Sequence, residues 1–219
     1  MNDGAIYKVL VMTAVEAERA AVLRGLNGDG RFDVRLAGVG PASAAANTAV
    51  HLAAEGYRLV ISAGIGGGFA GTAGIGSIVV ASEIIAADLG AESADGFISV
   101  DELGFGSSRI ATDSGLAAGW HSALLASGHA SCIGPILTVC TATGTSASAS
   151  HLAARVAGAA AEGMEGFGVA TAASLRGVPA LEIRAISNAV GPRDRAAWRI
   201  PDALQSLEHA FRIVTEVLG

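Results

Sequence analysis

Carboxylate and carboxamide side chains at the ends of two apolar segments are the groups of this chain that could do chemistry. Glu162 and Glu165 follow a run of small residues, and Ser187 and Asn188 end a strand predicted over Ala180–Ser187. Open α/β sheets hold their ligands at the carboxyl ends of buried strands. Carboxylates there can move protons or stabilise positive charge, and a carboxamide can bind a polar ligand. We therefore expect one half of a site in this stretch.

A second pair of acidic residues lies near the start of the chain. An apolar strand is predicted over Tyr7–Thr13, and the helical pattern that follows it directly carries Glu16 and Glu18 in its first turn. Acidic residues there commonly do no more than interact favourably with the helix dipole. A catalytic interpretation of either glutamate requires a partner carboxylate elsewhere.

Two glycine-rich segments follow predicted strands. In Gly38-Val39-Gly40-Pro41 the pattern of a dinucleotide-binding turn is incomplete, since Ser43 replaces its third glycine, and we interpret it as a turn that lets a helix pack closely. The segment Gly64-Ile65-Gly66-Gly67-Gly68 is predicted to be a loop after a strand over Leu59–Gly64. Its backbone amides could hold an anion or admit a flat ring, although it lacks the GK[ST] of a P-loop and any basic residue.

The alternation of strand and helix patterns gives the fold class. Further strands are predicted over Asp33–Val39, Gly76–Ser82 and Ile133–Thr141, a loop over Asp95–Ser107, and helices over Ala42–Ala54, Thr143–Arg155 (capped by Ser146 or Ser148), Phe167–Leu175 (ended by Pro179) and Ile200–Leu218. Glu182 and Arg184 are the charged residues of the strand that ends at Ser187. This order predicts an α/β fold with a mostly parallel central sheet. With 219 residues, 51% of them hydrophobic, the chain is expected to form one domain over residues 1–219.

Composition limits the partners. The formal net charge is -6 and no cluster of Lys and Arg is present, which excludes a nucleic-acid-binding surface and favours a small molecule. The uncharged segments Leu59–Ser82 and Ser114–Ala154 contain too many glycine and polar residues to predict membrane spans. The amino terminus lacks the pattern of a signal peptide, so we expect a cytoplasmic protein.

Cysteine and histidine positions give no metal site. Cys132 and Cys140 lie in an apolar segment without a CxxC pair, and we predict that they are buried free thiols. The five histidines are scattered along the chain. We therefore expect neither a metal nor a cofactor.

The order and spacing of several motifs resemble the purine nucleoside phosphorylase and nucleosidase superfamily across nearly the whole chain. These motifs are Ala14-Val15-Glu16-Ala17-Glu18 after the first strand, Gly38-Val39-Gly40, the segment from Gly64 to Gly68, Gly76-Ser77-Ile78-Val79-Val80, Glu162-Gly163-Met164-Glu165 and Arg184-Ala185-Ile186-Ser187-Asn188. Within that superfamily, three segments are similar to the futalosine hydrolase family: Asp88-Leu89-Gly90-Ala91-Glu92, Thr141-Ala142-Thr143-Gly144 and the run from Ser187 to Asp194.

The resemblance implies a fold, a reaction and a set of roles. It implies a three-layer sandwich and assembly as a homodimer or larger homo-oligomer. The implied reaction is cleavage by water of the N-glycosidic bond of a purine nucleoside. For the futalosine hydrolase family that nucleoside is futalosine, an intermediate of menaquinone biosynthesis, and the released base is hypoxanthine. Glu18 matches the carboxylate that activates water, Glu165 the group that bonds the ribose hydroxyls, and Asn188 the group that faces the base. The substrate-binding positions that it implies are Gly64, Ile65, Gly66, Thr143, Gly144 and Met164.

The chemistry of glycosidic cleavage asks for the same groups. The ribosyl transition state is cation-like, so one carboxylate should deprotonate water while another stabilises the sugar. Ser62 and Ile65 occupy positions where phosphorylases grip phosphate, which favours hydrolysis. Asn188 stands where nucleosidases for adenine nucleosides carry an aspartate, which favours a 6-oxopurine.

Three alternatives stay open at this point. The chain could be a nucleosidase for methylthioadenosine or adenosylhomocysteine, a purine nucleoside phosphorylase, or a non-catalytic nucleoside-binding protein. Whether Glu16 shares the role of Glu18 is also open. The sequence identifies no group for the far end of the substrate, because Arg193, Arg195 and Arg199 around Trp198 are interpreted as a solvated basic loop.

Overall fold

The structure, a computed structural model, describes residues 8–218. Ten strands and six α-helices lie within that range. The strands are β1 (Val9–Thr13), β2 (Phe32–Leu36), β3 (Leu59–Gly68), β4 (Ile78–Ala86), β5 (Gly90–Ser93), β6 (Gly96–Ser99), β7 (Arg109–Ala111), β8 (Ser131–Thr138), β9 (Ala161–Gly163) and β10 (Ala180–Ala189). The α-helices are α1 (Glu16–Leu26), α2 (Pro41–Ala54), α3 (Ser114–Ala126), α4 (Ser146–Arg155), α5 (Gly166–Ser174) and α6 (Ile200–Val217), and a short 3-10 helix covers Arg195–Ala197.

The main sheet is mixed and partly closed. Strand β3 pairs with β1 through its first residues, with β9 through its last residues, and with β10 along its other edge. Because β10 also pairs with β4, which pairs with β8, which pairs with β9, five strands close into a barrel-like ring. Strands β1 and β2 extend the sheet outward from β3, and β5 with β6 forms a separate hairpin.

Alternate residues of the central strands face two apolar cores. Val9, Val11 and Ile61 point to the core built with α1, α3 and α6, whereas Leu10 and Val60 point to the core built with α2 and α5. This period of two is the expected side-chain pattern of a strand buried on both faces. Each fully buried large apolar side chain stabilises the fold by roughly 1.5–3 kcal/mol. The two cores therefore hold β1, β3 and β10 in place beneath the site.

A glycine allows α5 to pack closely against α2. A methyl group at Gly168 in α5 would lie 2.1 Å from the carbonyl oxygen of Pro41, the first residue of α2. Only a residue without a side chain fits there. The turn at Gly38 and Gly40 begins α2, and both glycines have positive φ, 76° and 86°. A methyl group at Gly40 would meet nothing within 4 Å, so this glycine serves the backbone conformation of the turn and not the close packing that the sequence predicted for it.

The α/β fold predicted from the sequence is confirmed, with differences in detail. The predicted glycine loop after Gly64 is strand, since β3 continues to Gly68. The predicted loop over Asp95–Ser107 contains β6, and α3 and β7 were not predicted. For the first strand, Tyr7 lies outside the described residues.

Two smaller predictions were wrong. The cap of α4 is Thr145, whose hydroxyl accepts a hydrogen bond from the Ser148 amide at 3.1 Å, rather than Ser146 or Ser148. The cysteines are free thiols, but Cys140 is exposed and Cys132 is half-buried. Cys140 is exposed because it lies beyond the end of β8, where the chain leaves the sheet.

None of the helices between residues 8 and 218 is both long enough and apolar enough to cross a membrane.

Candidate active site

A cavity of about 200 Å³ lies where β1, β3, β8, β9 and β10 end. Seven of the nine predicted site residues line it: Glu18, Ile65, Gly66, Thr143, Met164, Glu165 and Asn188. Its wall also includes Glu162, Ser187, Arg193 and Trp198. The predicted half-site at residues 158–188 and the acidic first helix thus meet at one opening.

Gly64 and Gly144 do not line the cavity, but each supports a residue that does. A methyl group at Gly64 would lie 2.6 Å from Glu18 Oε1 and 2.7 Å from an Arg184 guanidinium nitrogen. Gly64 therefore has to be glycine for both charged groups to approach β3. The carbonyl of Gly144 accepts a hydrogen bond from the Arg193 amide at 3.1 Å, which anchors the segment after β10.

Glu18 is a buried carboxylate held by backbone amides. Its Oε2 accepts from the amides of Ala14 (2.9 Å) and Val15 (3.2 Å), and its Oε1 accepts from the amide of Ile65 (2.9 Å). These three bonds use three of about four acceptor positions of a carboxylate. Burial raises the pKa of Glu18, an effect that Arg184 and the amide bonds partly oppose. A carboxylate with a raised pKa is a better general base.

Glu16 has a different environment from Glu18. Its side chain is 64% exposed, and it forms an ion pair with Arg19 at 3.1 Å. It is also absent from the residues that line the cavity. Glu18 therefore lies at the cavity, whereas Glu16 lies on the surface.

Glu165 precedes α5 and is the second buried carboxylate at the cavity. Its Oε1 accepts from the Gly40 amide at 3.2 Å, so the glycine turn at the start of α2 also supports the site. Its Oε2 accepts from Arg184 at 3.1 Å and from the Met164 amide at 3.3 Å. The carboxylate is fixed on both oxygens, and Oε1 keeps the capacity to accept another hydrogen bond.

Arg184 and Glu182 are functional candidates to which the sequence interpretation gave no role. Arg184 in β10 is 2% exposed, and its guanidinium bonds Glu165, Glu182 (2.8 Å) and the hydroxyl of Ser62 (3.3 Å). Burial by itself would lower the pKa of Arg184, but the carboxylates of Glu182, Glu165 and Glu18 raise it above its ordinary value. The signal was present in the sequence as two charges, two residues apart, in an apolar strand.

Glu182 completes this buried ionic group. It is fully buried, and its Oε2 has no hydrogen-bond partner among the described residues. Burial raises the pKa of Glu182, against the lowering effect of Arg184. A methyl group at Gly166 would lie 1.9 Å from that Oε2, so the glycine that begins α5 makes room for the carboxylate.

Asn188 lies near the end of β10 and is half-buried. Its Oδ1 accepts from the hydroxyl of Ser187 at 2.8 Å, and its Nδ2 donates to the carbonyl of Ala189 at 3.0 Å. The amide nitrogen has a second hydrogen that these bonds leave available. Asn188 can therefore donate a hydrogen bond into the cavity while its orientation is held by its neighbours.

Arg193 and Trp198 form the outer wall, in the segment between β10 and α6. The Arg193 guanidinium lies over the Trp198 ring, 5.3 Å from its centroid, within the range of a cation–π contact. Arg195 contacts the same ring at 5.9 Å, whereas Arg199 pairs with Asp202. Within the described residues, the basic loop thus has one arginine that lines the cavity, Arg193.

A larger cavity of about 460 Å³ lies elsewhere, between the β5–β6 hairpin and the end of α4. None of the predicted site residues lines it. Across residues 8–218, no group of His, Cys, Asp and Glu side chains is arranged to hold a metal ion.

Comparison with known proteins gives concordant matches. The family model described as the phosphorylase superfamily matches residues 13–218. A futalosine hydrolase from Streptomyces coelicolor is 50% identical over 230 aligned residues, covering 96% of this chain and 96% of that protein. The solved structure of futalosine hydrolase from Helicobacter pylori superposes with a TM-score of 0.81 at 18% identity, covering 97% of each chain. A 5'-methylthioadenosine/S-adenosylhomocysteine nucleosidase from the same organism superposes with a TM-score of 0.81 at 19% identity, covering 97% of this chain and 98% of the other.

Proposed function

The chain belongs to the phosphorylase superfamily and, within it, to the futalosine hydrolase family, and from this premise we propose that it hydrolyses the N-glycosidic bond of futalosine and releases hypoxanthine. The observation that carries the proposal is that two buried carboxylates, Glu18 and Glu165, line one cavity together with Asn188. A non-catalytic nucleoside-binding protein would have no need for two carboxylates held in this way.

In this proposal Glu18 is the general base. Its remaining acceptor position takes a water molecule, and burial raises its pKa so that it can remove a proton from that water. The water then attacks the anomeric carbon as the bond to the base breaks. The proton ends on Glu18, the bonding electrons of the C–N bond leave with the purine, and the new C–O bond leaves a hydroxyl group on the anomeric carbon of the sugar, which keeps its other substituents. The purine anion then takes up a proton from solvent as hypoxanthine, and Glu18 returns its own proton to solvent, so the net reaction consumes one water molecule.

Glu165 is proposed to stabilise the sugar as positive charge grows on it. Its Oε1 is available to ribose hydroxyls, and Met164 lies beside it on the cavity wall. Arg184 holds the Glu165 carboxylate in place by a charge-assisted hydrogen bond, and the same guanidinium also binds Glu182. Such preorganised charge is the usual main source of transition-state stabilisation.

Asn188 is proposed to face the leaving base. A departing purine carries negative charge on its N7 and O6 edge, and an amide N–H stabilises that charge by donating a hydrogen bond. A neutral carboxamide suits a 6-oxopurine, which presents acceptors there. This is the reason for proposing futalosine over an adenine nucleoside.

Several finer statements belong to the same proposal. We propose a single domain over residues 1–219, a cytoplasmic location, assembly as a homodimer or larger homo-oligomer, and a place in menaquinone biosynthesis. The description as a three-layer sandwich with a mostly parallel sheet is supported by helices on two faces and by five parallel pairings among the eight of the main sheet.

The proposal is tested by incubating the purified protein with futalosine, inosine and methylthioadenosine, and following release of the free base by chromatography. We expect hypoxanthine from futalosine at a rate well above that from methylthioadenosine. Preferred release of adenine would support the adenine-nucleoside alternative. Binding without release of any base would support the non-catalytic alternative.

A further inference from the structure

Three residues on neighbouring strands form one row across the floor of the cavity. Gly67 in β3 pairs with Glu162 in β9 on one side and with Asn188 in β10 on the other. Residues paired across adjacent strands project from the same face of a sheet. Glu162 and Asn188 accordingly both line the cavity, with a glycine between them.

The spacing of this row suits a flat ring. Neighbouring strands lie about 4.8 Å apart, so the α-carbons of Glu162 and Asn188 are about 10 Å apart, and a flat ring above Gly67 can meet both side chains. A methyl group at Gly67 would lie 2.8 Å from a Val190 methyl and 3.4 Å from Asn188 Nδ2, so glycine keeps the space between the two polar side chains open.

Glu162 is a buried carboxylate with unused acceptor capacity. It is 7% exposed, its Oε1 accepts from the Thr143 amide at 2.9 Å, and its Oε2 accepts from the Thr143 hydroxyl. Each oxygen can accept one more hydrogen bond. Within residues 8–218 no cation forms an ion pair with it, unlike Glu165 and Glu182, which share Arg184.

A buried carboxylate of this kind is stabilised by a donor. Burial raises the pKa of Glu162, while the two Thr143 bonds lower it. A ligand N–H pointing at the free acceptor positions would favour the ionised form further. The site is therefore complementary to a ligand with a hydrogen-bond donor on the side opposite Asn188.

We propose that Glu162 accepts a hydrogen bond from N1–H of a 6-oxopurine while Asn188 donates to its O6 and N7 edge, so that the pair selects the base. This inference rests on the proposed function, and it adds a residue and an edge of the base to it. The N1 of a 6-oxopurine carries a hydrogen, whereas the N1 of a 6-aminopurine is an acceptor that a carboxylate repels. Thr143 is a positioning residue, since it holds both oxygens of Glu162.

The test uses a change in the ligand at this contact. Methylation at N1 replaces the donor hydrogen by a methyl group and leaves O6, N7 and the sugar unchanged, and a purely steric effect would be relieved in Glu162→Ala by a gain on the methylated nucleoside. We expect the wild type to have a kcat/KM for inosine or futalosine at least ~10-fold higher than for its N1-methyl counterpart, on the order expected when a buried polar group loses its partner. In Glu162→Ala the ratio should approach one, mainly because activity on the unmethylated nucleoside falls.

The matched control is Asp88→Asn. The Asp88 carboxylate raises the pKa of Glu162 through space but does not line the cavity, so its removal changes the local charge without touching the contact. This variant should keep the wild-type ratio. If Glu162→Ala prefers the unmethylated nucleoside over the N1-methyl nucleoside as strongly as the wild type does, the inference is overturned. That result would leave the proposed hydrolysis of futalosine intact, since hypoxanthine would still be released.

Binding of the free bases separates this inference from the proposed function. Calorimetry with hypoxanthine and 1-methylhypoxanthine needs no turnover, so it reports on Glu162 even in a protein that hydrolyses neither nucleoside. We expect at least ~10-fold tighter binding of hypoxanthine by the wild type, lost in Glu162→Ala. If Glu162→Ala does not fold, Glu162→Gln is used instead, and its preference for hypoxanthine over 1-methylhypoxanthine must be smaller than that of the wild type. Equal binding of both bases by the wild type would refute the contact.

Discussion

At the scale of single residues, Glu18 and Glu16 form a natural pair for a test of the base. Glu18 is buried against three amides at the cavity, and Glu16, two positions earlier, is exposed and bound to Arg19. We expect Glu18→Gln to lower kcat on futalosine by at least ~10²-fold, because an amide cannot remove a proton from water. Steady-state kinetics on a variant with a normal circular dichroism spectrum provides the measurement.

Glu16→Gln is the matched control for this prediction. It makes the same chemical change on the same helix, and its kcat should stay near that of the wild type, since Glu16 is not among the residues that line the cavity. Near-normal turnover by folded Glu18→Gln would assign the base to another residue. A loss in Glu16→Gln as large as that in Glu18→Gln would mean that the two glutamates share the role.

The pH dependence of the reaction follows from the burial of Glu18. The base is active when ionised, and burial raises its pKa above the ordinary glutamate value of 4.5. Activity should therefore be lost as the pH falls through that raised pKa, so the acid limb of kcat/KM lies above pH 4.5. A pH profile of kcat/KM on inosine, whose base and sugar do not titrate in this range, measures it. An acid limb at or below the ordinary value would contradict the prediction.

Asn188 tests which purine the cavity accepts. An aspartate at this position repels the O6 and N7 acceptors of a 6-oxopurine when it is ionised, and it has one proton to give when neutral. We expect Asn188→Asp to lower kcat/KM on the hypoxanthine nucleoside by at least ~10-fold, which corresponds to the lower part of the 1–3 kcal/mol that an unsatisfied buried group costs. Activity should be measured with hypoxanthine and adenine nucleosides on both proteins. An unchanged ratio would remove Asn188 from base recognition.

At the scale of elements, strand β10 carries the ionic group beneath the site. Arg184 bonds Glu182 on its own strand and Glu165 at the start of α5, and all three are buried. Arg184→Met would leave two buried carboxylates without their cation. We expect the free energy of unfolding to fall by about 3–5 kcal/mol, the usual cost of breaking a buried ion pair from one side. Urea unfolding followed by circular dichroism measures the change.

The control for that prediction is an exposed arginine. Arg24→Met removes a salt bridge to Glu208 between α1 and α6, in which the arginine side chain is 56% exposed. Such a surface pair contributes about 0–1 kcal/mol. A loss in Arg184→Met no larger than that in Arg24→Met would show that Glu182 and Glu165 become protonated at little cost.

The elements also show how far the sequence alone could be interpreted. A continuous apolar run predicted β1, alanine-rich patterns predicted α2 and α5, and apolar periodicity predicted α6, each to within a few residues, because all four elements pack against the cores. The end of β3 was taken for a loop, since glycine has no side chain to show a period. This segment is strand because it pairs with β9 and β10, and its residues are glycine because neighbouring backbone and side-chain atoms fill the space that a side chain would take. No local pattern in a sequence contains that information.

The site was predictable to a similar degree. Side chains at strand ends were recognisable, and a superfamily resemblance supplied their roles as expectations. The partners of Arg184 were not recognisable, because they come from β3, β10 and the segment before α5 and meet only after the sheet closes. The row of Glu162, Gly67 and Asn188 likewise depends on strand pairing across three elements.

At the scale of the whole molecule, closure of the sheet gives the cavity its charge. Strand β3 has β1, β9 and β10 as neighbours, so Glu18, Glu162 and Glu165 converge on one opening from distant parts of the chain. Arg184 lies behind the wall and is already bound by Glu165 and Glu182. Among the described lining residues, Arg193 on the outer wall is the basic one. With a formal net charge of -6 for the chain, the interior of the cavity is unfavourable for a free anion.

This charge distribution predicts that water, and not phosphate, is the co-substrate. A phosphate dianion needs cationic donors close to the sugar, but the Ser62 hydroxyl is buried against Arg184 and Ile65 is apolar. We expect base release at full rate in phosphate-free buffer, with free sugar as the product. Added phosphate should change the rate no more than chloride of equal ionic strength, which controls for screening. A strict requirement for phosphate, with a sugar 1-phosphate as the product, would mean that the anion enters despite the three carboxylates and that Arg184 leaves Glu165 to bind it.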